Sequence, residues 1–317
     1  MTSLQLFCQQ LANGLTIGAI YALIALGYTM VYGVIQLINF AHGEVFMVGA
    51  YLALTVLLVL GMAHPVVGLP LLAVLLACAV VAMGGCGLLG YGIERLAYRP
   101  LRPRPAESTS RGGQAPRLTA LITAIGMSFF LQNAVMLLYG ATDRQFPALI
   151  PLLRWEIGGT TVTLLQLIIW MTSGMLMVAL QILVMSTKLG KAMRATAQDP
   201  QACRLLGIPV DRIIAVTFVI GSALAAVGGM LFGLYYNTIT FHDGYLTGLK
   251  AFTAAVLGGI GNIPGAMVGG VVLGILEGLG AGYLAAQWKN VFAFVVLVAI
   301  LLFKPMGLFG ERVAERA

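Results

Sequence analysis

Three polar places interrupt a chain that is otherwise apolar, and each holds side chains able to bind or relay charge. They are Asn39-Phe-Ala-His42-Gly43-Glu44, then Thr240-Phe-His242-Asp243-Gly244-Tyr245 followed by Lys250, and Glu277 inside an apolar run. Ionisable groups within apolar segments are costly, so each is a default functional candidate. The candidate pathway lining is Asn39, His42, Glu44, His242 and Asp243. A plainer use competes for His42 and Glu44: capping a helix or bonding a carbonyl freed where the chain breaks. Being two residues apart, they share no helix face and make a poor metal pair. Lys250 is long enough to snorkel to an interface. For Glu277, pairing with a neighbouring helix and a pathway role stand level. Cys8, Cys78, Cys86 and Cys203 have no zinc or redox spacing, so no metal site is expected. Ser128 in Gly126-Met-Ser128-Phe lacks the completing glycine and an activating histidine, so no catalytic residue is expected. Lys191 follows Gly190 without the rest of a phosphate loop, so this chain is expected to bind neither nucleotide nor another cofactor.

The elements that position these residues are membrane spans. The 317 residues are 60% hydrophobic and only 9% charged, which fits an all-α polytopic membrane protein rather than a soluble domain. A span takes about 20 apolar residues. Candidates are 11–34, 44–61, 65–90, 118–139, 163–186, 212–235, 248–262, 264–285 and 289–303. Asn262-Ile-Pro264 breaks the run it interrupts, and 248–262 is short enough to be half-spanning. Eight helices with re-entrant pieces and nine helices both remain open. The net charge of +7 is clustered at span ends, a sign of orientation rather than of nucleic-acid binding. Arg95, Arg99, Arg102, Arg104, Arg111 and Arg117 make loop 91–117 cytoplasmic, and Lys304, Arg312 and Arg316 do the same for tail 304–317. Segment 140–162 is then external, and with nine spans so is the N-terminus. Nothing basic precedes Arg95, so the first segment lacks the charged start of a cleavable signal. Pro100 to Pro116 reads as a disorder-prone linker.

Two patterns bear on architecture. Phe40-Ala-His42-Gly43 and Phe241-His242-Asp243-Gly244 both precede a Gly-rich apolar helix, and the charges set them near opposite membrane faces. An inverted repeat, possessing its site where the halves meet, produces that arrangement, as does chance. From Gly258 to Gly282 there are ten glycines, including Gly265/Gly269 and Gly270/Gly274/Gly278 at four-residue spacing. That spacing aligns them on one helix face for close packing, and the smooth face also suits sliding.

The remaining feature is a charged island, 187–212, between two spans. It carries five Lys/Arg against two Asp and reads as a short helix–turn–helix. Such a segment cannot sit in lipid and must project into water, on the cytoplasmic side by its charge. Leu205 and Leu206 offer an apolar contact, with Arg194, Asp199 and Arg204 at its rim, between Gly190 and Gly207. A docking surface for a cytoplasmic partner is the expectation.

Longer runs carry a family resemblance. Gly27-Tyr-Thr-Met-Val-Tyr-Gly33, Ile38 to Glu44 and Ile93-Glu-Arg-Leu-Ala-Tyr-Arg-Pro100 resemble the branched-chain amino acid ABC-transporter permeases, nearest the H-type subunit. So do Ala124 to Ser128, Phe130 to Asn133, Lys250 to Gly261 and Ile263 to Ala266, so that the likeness extends from about Asn13 to Gly310. The resemblance implies a single permease domain, 1–317, in a bacterial inner membrane. It implies a pore shared with a second, M-type permease. Two cytoplasmic ATPases would hold the ATP and Mg, and a periplasmic binding protein would deliver the amino acid. It also implies that the island is the coupling loop seated in an ATPase groove. The stretch from about Pro103 to Pro116 is longer than the family usually has. Other readings compete: urea or short amides as cargo, an ion-coupled transporter with Glu44 and Glu277 as proton carriers, or an intramembrane enzyme.

Overall fold

A computed structural model describes residues 3–62, 64–101, 115–304 and 306–310. Residues 102–114, with most of the unusually long stretch, and 311–317 lie outside it, as do Arg102, Arg104, Arg111, Arg312 and Arg316. The described chain is all-helical apart from four short strands outside the spans. The helices are α1 (Ser3–Ile35), α2 (His42–Val59), α3 (Leu69–Ile93), α4 (Ala115–Tyr139), α5 (Leu164–Ser186), α6 (Lys188–Gln198), α7 (Pro200–Leu205), α8 (Val210–Tyr236), α9 (Asp243–Gly258), α10 (Ile263–Tyr283) and α11 (Lys289–Phe303). Among the described residues, seven of these are long and apolar enough to cross a membrane. At 16 residues, α9 is about 24 Å long by the helical rise and falls short of the ~30 Å hydrocarbon core. The half-spanning alternative fits this helix. Helix α3 does not stop at a loop near residue 91: a π turn (Glu94–Tyr98) and a 3-10 turn (Arg99–Leu101) continue it.

Each helix boundary has a local cause. Thr163 and Gln166 form a reciprocal capping box at the start of α5. Asn262 accepts from Gly265 N–H, and Pro264 begins α10, where a missing N–H costs nothing. Strand β1 (Arg144–Gln145) pairs antiparallel with β4 (Thr238–Ile239), and β2 (Arg154–Ile157) with β3 (Thr160–Thr163). The Gln9 amide bonds Thr161 at 3.1 Å, so the chain starts on the 140–163 face, opposite the island.

Helix α1 forms the centre, buried on nearly every side from Thr16 to Val31. A helix apolar all round belongs in a core. It packs antiparallel on α10 with no room for side chains: a Cβ at Gly18 would lie 2.8 Å from Val271 Cα, and one at Gly278 2.8 Å from Gly14 Cα. Gly270, Gly274 and Gly278 therefore face α1, while Gly265 and Gly269 face Gly258 of α9. Two stripes of one helix serve two neighbours.

The two breaks are related point for point. Segments 36–41 and 237–242 have equal length, and each begins with a non-glycine residue at φ 55°, Gln36 and Asn237, just past the end of a helix. Ala41 N–H bonds Asn39 Oδ1 at 3.1 Å, and His242 N–H bonds Thr240 Oγ1 at 3.3 Å. His42 N–H bonds Asn39 O at 3.0 Å, and Asp243 N–H bonds Thr240 O at 3.2 Å. Helix α1 runs toward the island and α8 away from it, so the α1–α2 and α8–α9 units form an inverted pair. The two motifs do not lie near opposite faces. Both chains re-enter the bundle after the break, and a Cβ at Gly43 would sit 2.8 Å from Gly248 Cα. Loop charge reports where the spans end, and these helices begin inside.

Candidate translocation site and coupling surface

The meeting of α2 and α9 collects the sequence-derived pathway residues, each held differently. Asn39 is buried and accepts from Ala41 N–H and from Tyr98 O–H at 3.0 Å. It fixes the break. His42 is buried with its ring edge-on to Tyr28, centroids 4.8 Å apart, and its Nε2 has no hydrogen-bond partner among the described residues. Ala41 is the α2 N-cap and its N–H goes to Asn39, so Glu44, whose Oε1 takes Ser128, does not cap the helix. Glu44, 1% exposed, accepts Ser128 O–H on Oε1 at 3.1 Å, while Oε2 faces Gly244 without a hydrogen-bond partner among the described residues. Its carboxylate lies in the first turn of α2 and against the first turn of α9, where two positive helix ends favour an anion. His242 is exposed, its ring in tilted contact with Phe241, with Nδ1 2.8 Å from Gln132 Nε2. Asp243 Oδ2 accepts Thr240 N–H at 2.7 Å. Asn39, His42, Glu44, His242 and Asp243 therefore share one region, but among the five His242 is the exposed one.

Sequence reasoning missed a buried ion pair within the bundle. Lys250 Nζ of α9 bonds Glu277 Oε1 of α10 at 3.0 Å, and Tyr21 O–H of α1 bonds Glu277 Oε2 at 2.9 Å. Lys250 does not snorkel, because its partner lies within the bundle. The available signal was position: Lys250 and Glu277 stand almost equally far from Ile263, the point where the α9–α10 hairpin turns. Sites equidistant from a tight turn face each other across an antiparallel pair. Ser128, Gln132 and Tyr139, on one side of α4, were missed as well. They bond Glu44, His242 and Thr55, the last at 2.6 Å.

At the island, α6 and α7 form a corner braced against the spans. Thr187 accepts from Gly190 N–H at 3.1 Å and donates to Leu183 O at 2.6 Å. A Cβ at Gly190 would overlap the Val184 carbonyl, so glycine lets α6 fold tightly onto α5. The Arg194 guanidinium turns back to Val184 O, away from a groove rim. Asp199 caps α7 through Gln201 and Ala202 N–H at 2.8 and 2.9 Å. Arg204 reaches Asp211 at 3.9 Å on the surface, a pair of little energetic weight. Gly207 adopts φ +79°, which permits the turn into α8. Leu205 and Leu206 face outward, 90% and 79% exposed.

The bundle is that of a multi-pass membrane protein, and comparison with known proteins decides which kind. Residues 10–301 match the family model described as branched-chain amino acid transport system / permease component. Over 315 residues, 98% of this chain and 97% of the relative, it is 45% identical to the high-affinity branched-chain amino acid transport system permease protein LivH of Escherichia coli (strain K12). It is 47% identical to BraD of Pseudomonas aeruginosa, of the same description, over 317 residues, 98% of both chains. The chain belongs to this permease family. Likeness extends to the probable LivH of Methanocaldococcus jannaschii, 29% identical over 91% of this chain and 88% of that one. No solved structure matches.

As a multi-pass permease, the molecule works as one part of a transport system, with partner subunits. The glycine seams, the buried Lys250–Glu277 pair and the island therefore belong to one pore-forming component.

Proposed function

We propose that this permease imports branched-chain amino acids, leucine, isoleucine or valine, by alternating access in a bacterial inner membrane. It forms the pore with a second, M-type permease, and a periplasmic binding protein delivers the cargo. Two ATPases, holding ATP and Mg, dock on the island from the cytoplasm. Leu205 and Leu206 enter the ATPase groove, while Gly190, Arg194, Asp199, Arg204 and Gly207 keep the corner rigid. ATP binding biases the two access states, and the braced corner passes that bias to α5 and α8. Asn39, His42, Glu44, His242 and Asp243 border the path, His242 on it and the others behind it. The family match over nearly the full length carries this reading.

Vesicles holding this chain, its sister permease, both ATPases and the binding protein test it. Leucine should accumulate only when ATP reaches the ATPases. Equal accumulation without them, driven by a proton gradient, would contradict it.

A further inference from the structure

We propose that His242 contacts the carboxylate of the transported amino acid through its Nε2–H, with Gln132 as the positioning residue. The proposal rests on the amino-acid permease reading and adds to it a named donor.

Depth is the first observation. Gln132 stands seven residues before Tyr139, the end of α4, so it lies about 10 Å inside that end by the helical rise. Lipid cannot satisfy an imidazole or an amide there. An exposed polar group at that depth faces a water-filled or protein-lined path. His242 is exposed and Gln132 half-buried.

Hydrogen bonding is the second. With the Gln132 amide nitrogen 2.8 Å from His242 Nδ1, the amide donates and Nδ1 accepts. In the neutral ring the proton is then on Nε2, and the edge remote from Gln132 is a donor. Phe241, its ring centroid 3.9 Å away and inclined by 40°, crowds one side of the imidazole. The positive end of α9 is already shared by two carboxylates, Glu44 against its first turn and Asp243 within it, so the imidazole N–H is the donor that remains for an incoming anion. Asp243 is next along the chain, but Thr240 N–H binds its Oδ2 and offsets part of the opposing charge.

The repeat supplies the third. In the other break the position matching His242 is Ala41, fully buried, and the backbone there makes the corresponding turn bonds. Folding the break therefore does not require histidine. At this position the imidazole stands in the copy that opens to the surface, whereas the histidine of the other copy, His42, is one place further on and buried.

Two substitutions separate the roles of the ring. His242→Asn keeps an acceptor near Nδ1 and preserves the bond to Gln132, but removes the outward donor. His242→Gln places an amide N–H near Nε2 and gives up that bond. In vesicles holding the whole importer, His242→Asn should lower leucine uptake about tenfold, the worth of one hydrogen bond to a charged group, with complex assembly and ATP hydrolysis retained. His242→Gln should retain clearly more uptake than His242→Asn, losing only the several-fold that goes with the Gln132 bond. Gln132→Leu should lower uptake several-fold with assembly unchanged. Wild-type uptake in His242→Asn, or equal loss in both histidine variants, would overturn the proposal, as would full activity in Gln132→Leu. If the wild-type importer moves no leucine, the permease reading fails and takes this inference with it. Wild-type transport with an inert Asn substitution overturns the inference alone.

Discussion

Helices α10 and α4 both pack on the central bundle, and they do so by opposite means. Helix α10 meets α1 backbone to backbone, through Gly14, Gly18, Gly270, Gly274 and Gly278. Helix α4 meets it through Ala120, Ala124, Leu131 and Val135, interleaved with hydrogen bonds from Ser128, Gln132 and Tyr139. The glycine seam admits no side chain, because any Cβ placed there collides with main chain. The α4 seam is held by bonds that another polar partner or water can replace. In a bilayer, without a hydrophobic drive between helices, such packing and such bonds carry association. The contrast separates a fixed frame, α1 with α8, α9 and α10, from an attached helix bordering the path. Exposed glycines mark the same divide: a Cβ at Gly126 of α4 or Gly174 of α5 meets nothing within 4 Å.

The harshest way to break this contrast is a large side chain in the frame. Gly274→Leu should abolish accumulation of the permease in the membrane, measured by quantitative blotting, while Gly126→Leu should leave it near wild type. Equal loss would mean that α4 is packed as tightly as α10. Next in size is the buried ion pair. Lys250→Met or Glu277→Gln alone leaves one group unsatisfied and should cost about 3–5 kcal/mol of stability, read as a large drop in the thermal transition in detergent. The double substitution Lys250→Met with Glu277→Leu should recover much of that loss. No recovery would show that the two groups act independently. Smallest is Ser128→Ala, which removes one bond between α4 and Glu44 and should cost about 1 kcal/mol. Its transition should shift little while its transport rate changes several-fold. A stability loss as large as that of Lys250→Met would place α4 in the frame.

Much of this arrangement was legible in the residues. Apolar runs of sufficient length located the spans, and Asn262-Ile-Pro264 located the α9–α10 turn, because both signals are local. The matching motifs around Phe40 and Phe241 pointed to the repeat. Their meeting place was not legible: charges fix only where loops emerge, and each break returns into the bundle by a segment without charge signals. Lys250 and Glu277 were noticed singly, since their pairing depends on how a hairpin closes. The stitching of α4 was invisible because Ser128, Gln132 and Tyr139 are ordinary residues whose partners are far away in sequence. At the island, amphipathic spacing exposed Leu205 and Leu206, but nothing in sequence showed Arg194 turning back to the end of α5.

The measurement that reaches the centre is ATP-driven leucine uptake by the reconstituted importer carrying Leu205→Lys and Leu206→Lys together. Both side chains are exposed and support no core, so the permease should insert and pair normally. Expected is uptake at the ATP-free background, with the ATPases hydrolysing ATP uncoupled or lost from the complex. Uptake at the wild-type rate would contradict the island as the place where the motor engages.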